Sequence, residues 1–178
     1  MGFQCFLHLL VLYRSPQFDC GEHCVGDSPL GRAFVEEVYG SSFPFPGYKA
    51  EEIAERLPGV LSDSDDLVVI FGGTNNIPSD TVATCIYHID GLVSKAIKLR
   101  PNKPILLSEI PARFDGDYSD KIKHVNDYLD HLTKKYENLY LLGHDLSRTD
   151  LNRGGLHFSK QGKSRIGERI RDIAIKIV

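Results

Sequence analysis

One stretch constrains this chain more than any other: Asp66-Leu67-Val68-Val69-Ile70-Phe71-Gly72-Gly73-Thr74-Asn75-Asn76. Five consecutive apolar residues, β-branched at the centre, run directly into two glycines and two asparagines. A continuous apolar run of this length predicts a strand covered on both faces, the kind found in parallel sheets. The glycines let the backbone turn sharply where the strand leaves the sheet. Ligands of open α/β sheets sit at the carboxyl ends of the strands, so the stretch delivers two amide side chains to the place where chemistry occurs. The same asparagines also read as turn formers that tolerate unusual backbone angles, and the stretch alone leaves both readings open.

A length of 178 residues suits one domain with a substantial core. Apolar and charged fractions of 42% and 25% are ordinary for a soluble globular protein, and a net charge of -3 gives no reason to expect a nucleic acid or an anionic membrane as partner. The apolar run from Cys5 to Tyr13 is far too short to span a bilayer. It reads as an extra strand or as the apolar part of a secretory signal. No Lys or Arg precedes it and no small-residue cleavage site follows, which favours a cytoplasmic over a secreted location. Residues 1–23 are therefore read as an N-terminal extension able to form an extra strand, and oligomeric state is not legible. Cys20-Gly21-Glu22-His23-Cys24 has a metal-like look, but zinc needs a second ligand pair and no metal is expected. A Cys20–Cys24 disulfide would require export. Cys85 falls in a helical apolar pattern and reads as a small core residue.

Along the chain, Ser28 can cap a helix and Pro29 suits its first turn, with Leu30, Phe34 and Val38 on one stripe. The strand before Gly26 is poor, because residues 19–23 are polar; residues 5–13 could supply it instead. Ala50, Ile53 and Leu57 mark a helix stopped by Pro58-Gly59. Ser79 or Asp80 can cap a long helix carrying Val82, Ile86, Ile89, Val93 and Ile97. Pro104 to Ile110 predicts a buried strand, and Ile122, Val125, Leu129, Leu132 and Tyr136 have clean helical spacing. Leu139 to Leu142 predicts the last strand, and Ser159 opens a final helix with Ile166, Ile170, Ile173 and Ile177. Strands thus alternate with helices from about residue 24 to the end. This predicts a parallel sheet with helices on both faces and right-handed crossovers.

Three strand ends carry residues suited to chemistry. Ser28 follows the first strand, Asn75 follows the stretch described above, and His157 precedes the last helix. A serine nucleophile needs a base within hydrogen-bond reach, usually His, and donors aimed at the oxyanion. Asn75 can donate from its side chain, and the Ser28 and Gly47 backbone N–H groups can add two more. Each also has a plain structural reading: Ser28 as a helix cap, Gly47 as a turn glycine, His157 as one of seven histidines. His88, His124 and His131 fall on helices and read as surface or core residues. The order of the set, at successive strand ends, shifts the balance toward chemistry.

Gly26-Asp27-Ser28, Gly47, Gly73-Thr74-Asn75-Asn76 and Leu156-His157-Phe158-Ser159-Lys160-Gln161-Gly162 together resemble the four blocks of the SGNH (GDSL-type) hydrolase superfamily. The resemblance covers about residues 24 to 178 and implies an SGNH hydrolase-type domain there. It implies a three-layer α/β/α, flavodoxin-like fold with about five parallel strands. It further implies hydrolysis of a small-molecule ester, an acyl group on a carbohydrate or lipid, without metal or cofactor. Ser28 would be the nucleophile and His157 the general base, with Ser28 N–H, Gly47 and Asn75 lining the oxyanion hole. Two positions depart from the family pattern. Where the family has Asp three residues before the histidine this chain has Gly154, and where it has Asp after the block-three asparagine this chain has Asn76. The acid of such a site holds the imidazole tautomer and stabilises the imidazolium. Asp150 or Asp145 could reach in as the acid, or a backbone carbonyl could orient the ring. Asp27, adjacent to Ser28, reads as a turn residue. The alternative function is a catalytically weakened or inactive SGNH-type domain that binds an ester or glycan. A phosphate-binding module is a third class, but both glycine-rich phosphate-loop patterns are missing.

Overall fold

The computed structural model describes residues 9–13, 40–61 and 65–178. Its elements run β1 (Leu9–Tyr13), β2 (Gly40–Pro44), α1 (Ala50–Val60), β3 (Leu67–Ile70), α2 (Val82–Leu99), β4 (Ile105–Ser108), α3 (Ser119–Lys135), β5 (Leu139–Leu142), a 3-10 turn (Arg148–Asp150) and α4 (Lys160–Ile177). The helix expected after Ser28 lies outside the described residues, as do Cys20, His23, Cys24 and Asp27.

The strands form one sheet in the order β2-β1-β3-β4-β5. β3, β4 and β5 pair in parallel, with Val68 opposite Ile105 and Ile105 opposite Leu139. β1 is antiparallel to both neighbours, placing Leu10 between Phe43 and Ile70. The expectation of about five parallel strands is corrected by this pairing: three pair in parallel, and β1 runs against the rest. Parallel neighbours need a crossover, commonly a helix, and one helix joins β2 to β3, β3 to β4 and β4 to β5. Since β2 opposes β1 and β1 opposes β3, β2 points the same way as β3, β4 and β5. The loops leaving these four strands therefore gather at one edge of the sheet.

Alternation along the strands divides the core into two layers. Val68, Ile70, Ile105 and Leu107 pack against Ile53 and Leu57 of α1, Ile89 and Leu92 of α2, and Val125 and Leu129 of α3. Leu67, Val69, Leu106 and Leu142 face the other way, onto Ile166, Ile170 and Ala174 of α4. Crossovers of one hand that step across a sheet in one direction keep their helices on one face, which matches the grouping of α1, α2 and α3. Burial of each such side chain stabilises the fold by roughly 1.5–3 kcal/mol. Cys85 is buried in the first layer.

Two helix ends differ from expectation. α1 runs through Pro58 to Val60, closed by the Leu61 N–H donating to Leu57 O at 3.0 Å. A proline in the last turn forgoes only one bond, so the helix survives it. The cap of α2 is Thr81, whose hydroxyl accepts from the Thr84 N–H at 3.2 Å, rather than Ser79 or Asp80. Asp80 is engaged elsewhere, as described below. No described helix is long and apolar enough to cross a membrane.

Candidate functional site

The loops after β2 and β3 meet through Asn75. After β2 the chain turns at Phe45-Pro46-Gly47-Tyr48, with the Tyr48 N–H donating to Phe45 O at 3.2 Å and Gly47 at φ 80°. After β3, Gly73 leaves the sheet at φ 97°, where a Cβ would come within 2.7 Å of Ile89 Cδ1. Both the backbone angle and the packing therefore call for glycine. Asn75 is 9% exposed, and its Nδ2 donates to the Tyr48 carbonyl at 3.0 Å. That bond brings the block-three amide to within one residue of Gly47.

Asn76 does different work. It is fully buried, and its Oδ1 accepts the Ala50 N–H at 2.9 Å, satisfying a first-turn donor of α1. Its Nδ2 donates to Glu51 Oε2 at 3.0 Å and to Asp80 Oδ2 at 2.7 Å. Asp80 also receives Lys49 Nζ at 2.7 Å. Burial alone would raise the Asp80 pKa, but the hydrogen bonds from Lys49, Asn76 and Ser79 outweigh it and hold the carboxyl below its ordinary value. An amide at 76 can donate to two carboxylates; an aspartate there would be a third acceptor among them. Glu51, Asp80 and His88 present ligand atoms within 4.8 Å of one another. The two carboxylates are already bonded to Asn76 and Lys49, so the cluster reads as a polar brace.

His157 lies on a loop closed by the Leu151–Phe158 bridge and by the Asn152 N–H donating to His157 O at 2.6 Å. The half-buried ring has a pKa below the ordinary histidine value. Burial is the main cause, Lys163 and Arg113 act in the same direction, and Asp115 opposes them. A ring kept neutral in this way can accept a proton near neutral pH. No described residue hydrogen-bonds its buried Nδ1. Asp150, also buried, accepts the Ser147 N–H at 2.9 Å, the Ser147 hydroxyl at 2.8 Å and Arg165 Nη1 at 2.7 Å. The Ser147 backbone bond is the largest influence holding its pKa down. Those bonds cap the 3-10 turn, and no hydrogen bond between Asp150 and His157 is present. Asp145 is exposed. Gly154 is exposed too, and a Cβ there would meet only the Asn152 side-chain amide, at 3.4 Å and beyond.

Ser28 lies outside the described residues. β1 ends, at Tyr13, opposite Gly40 and Leu67, which is the edge away from Gly47 and Asn75. Residues 14–39, which include Ser28, connect it to β2.

Sequence reasoning missed Arg113 and Asp115, in the loop after β4. Arg113 is 6% exposed; its Nη1 donates to the Thr74 carbonyl at 2.7 Å, while Nε and Nη2 donate to Asp115 at 2.9 and 2.5 Å. The only signal in the sequence is an arginine two residues after the strand-ending Pro111, which has no periodicity to betray its burial. Ala112, Arg113 and Phe114 also line a cavity of about 670 Å³ together with Glu109, Asp117, Lys123 and His144. Its size suits a small molecule. A second Ser–His pair was also missed. Ser108 Oγ lies 2.7 Å from His144 Nε2, but the Ser108 hydroxyl donates to Glu109 O at 2.8 Å. The Ser108 hydroxyl therefore has a backbone acceptor within reach as well as the His144 ring. Burial lowers the His144 pKa to about 4, so the ring is neutral near pH 7.

An α/β/α-layered domain with an amide and an imidazole on loops at the carboxyl edge of its parallel strands resembles the SGNH (GDSL-type) hydrolases in fold as well as in its sequence blocks. No protein-family model and no curated protein matches the chain. Its structure is similar to that of a protein assigned to the G-D-S-L family from Desulfitobacterium hafniense DCB-2, with a TM-score of 0.62 and 17% identity over 81% of this chain and 87% of that one. It is also similar to a carbohydrate esterase family 3 protein from Talaromyces cellulolyticus, with a TM-score of 0.59 and 16% identity over 73% and 68% of the two chains. A psychrotrophic esterase from Pseudoalteromonas sp. gives a TM-score of 0.56 and 19% identity over 73% and 72%. At these identities the likeness is one of fold.

Proposed function

We propose that the chain is a serine ester hydrolase of the SGNH type, with residues 24–178, together with the β1 strand inside their sheet, as its catalytic unit on a flavodoxin-like frame. The substrate is a small ester, an acyl group on a carbohydrate or lipid. The observation that carries this reading is the Asn75 Nδ2 to Tyr48 O bond, which joins blocks two and three of the motif at the carboxyl edge of the parallel strands. The esterases among the structural neighbours support the same reaction class.

In this reading the Ser28 hydroxyl attacks the acyl carbonyl carbon while His157 takes its proton. The Ser28 and Gly47 N–H groups and the Asn75 amide hold the oxyanion. As the tetrahedral intermediate collapses, the bond to the leaving alcohol breaks and the imidazolium returns the proton to that alcohol. Water then attacks the acyl-serine with His157 again as base, releasing the acid and restoring Ser28. Purified protein is expected to turn over p-nitrophenyl acetate. Ser28→Ala should abolish this turnover, and Asn75→Ala should lower kcat by roughly a hundredfold while the protein stays folded. Absence of turnover, or turnover that survives Ser28→Ala, rejects the proposal.

A second reading is favoured by Gly154 and by the His157 Nδ1, to which no described residue bonds. A site without an orienting acid works slowly, and the chain would then serve mainly to bind its ester or glycan. Space exists at position 154 for a carboxylate. A large gain in esterase rate in Gly154→Asp marks a weakened site. An unchanged rate points to an acid supplied from elsewhere or to a dead enzyme.

A further inference from the structure

The loop after β4 binds both loops of the candidate site at once. Arg113 Nη1 donates to the carbonyl of Thr74, the residue before Asn75, at 2.7 Å. One residue on, the Phe114 N–H donates to the carbonyl of Gly155, two residues before His157, at 2.9 Å. Gly155 sits at φ 72°, and a Cβ there would fall 2.7 Å from Phe114 Cβ, so the two backbones are in the closest contact that their side chains allow. Arg148 grips the same loop from the other end. Its guanidinium donates to Asn152 O at 2.7 Å and to Arg153 O at 2.8 Å and lies 5.4 Å from the Phe114 ring centre.

The guanidinium of Arg113 is itself fixed. Asp115 takes two of its N–H groups at 2.9 and 2.5 Å, and the Tyr118 ring centre is 5.2 Å from its Cζ. A buried arginine is a costly way to fill space, whereas its planar fork sets geometry in a way an apolar side chain cannot. Asp115, Arg113 and Lys163 are the charged groups that act on His157.

We infer that Arg113 is a positioning residue of the proposed catalytic centre, holding the loop of Asn75 and the loop of His157 at a fixed separation. The inference rests on the hydrolase reading for its consequence in rate, but the coupling of the two loops is testable without it. Arg113→Lys keeps the charge, yet a single ammonium cannot reach Thr74 O and chelate Asp115 together. That substitution therefore separates geometry from charge, and Arg113→Met removes both.

The experiment measures kcat and KM on p-nitrophenyl acetate for the wild type and both variants, with side-chain NMR of the Asn75 amide and the His157 ring. The expected result is a fall in kcat of about tenfold or more in both variants, with KM within about twofold. The Asn75 and His157 resonances should move together in both. If the wild type does not turn over the ester, the hydrolase proposal fails by itself, and the resonances alone decide the brace. Wild-type kcat in Arg113→Lys, or resonances that stay in place in that variant or move in one loop only, would overturn the inference. Because Arg113→Lys preserves the charge beside Asp115, it keeps the test decisive even should Arg113→Met fail to fold.

Discussion

At the scale of single residues the proposed reaction calls for a histidine that stays neutral. Burial first, then the positive charges of Lys163 and Arg113, disfavour the imidazolium of His157, and Asp115 only partly offsets them. A base with a depressed pKa keeps its activity down to lower pH. The acid limb of kcat/KM should therefore fall below the ordinary histidine value of about 6.5. Replacing Lys163 by Met removes one cation that opposes protonation, so the limb should move up toward that value. A pH–rate profile of the two proteins checks this; a limb that stays put would mean that His157 is not the titrating base. The sequence made His157 and Asn75 visible because both sit in recognisable blocks. It could not show what surrounds the ring, since Arg113 and Asp115 come from a loop more than forty positions earlier in the chain.

At the scale of elements, the polar network around Asn76 is what ties α1 to the loop after β3. Its Oδ1 caps the Ala50 N–H and its Nδ2 serves Glu51 and Asp80, so the family aspartate would be out of place here. Asn76→Asp should destabilise the fold at pH 7 by about 2–3 kcal/mol, since a buried donor becomes a charge among carboxylates. The new carboxyl would have a folded-state pKa raised by burial and by its neighbours. Its penalty is therefore complete above that raised pKa and disappears below the unfolded value of about 3.9. Denaturant unfolding at pH 7 and pH 3.5, compared with wild type at each pH, measures it; equal stability at both would contradict the assignment. The helices themselves were readable from apolar spacing, as Val125, Leu129 and Leu132 of α3 illustrate. The start of α2 was not, because Ser79, Asp80 and Thr81 are all competent caps and the choice is made by Lys49 and Asn76, one of them far away in sequence.

For the whole molecule, the direction of β1 is the main feature that no local pattern could announce. Apolar content predicts that a segment will join a sheet; only a crossover dictates which way it points. From β2 onward the alternation of strand and helix supplied that information, and the shared edge that carries Gly47, Asn75, Arg113 and His157 follows from it. The glycines and asparagines after β3 keep their central place, but in divided roles: Asn75 joins the loop of Gly47 and is the oxyanion donor in the proposed hydrolase, while Asn76 holds the frame. The proposed hydrolase stands or falls on Ser28. The most direct measurement is reaction of the folded protein with a fluorophosphonate followed by peptide mass spectrometry. A single adduct on Ser28 is expected, formed much more slowly in His157→Ala. No adduct, or an adduct on another serine, would contradict the assignment of Ser28 as nucleophile.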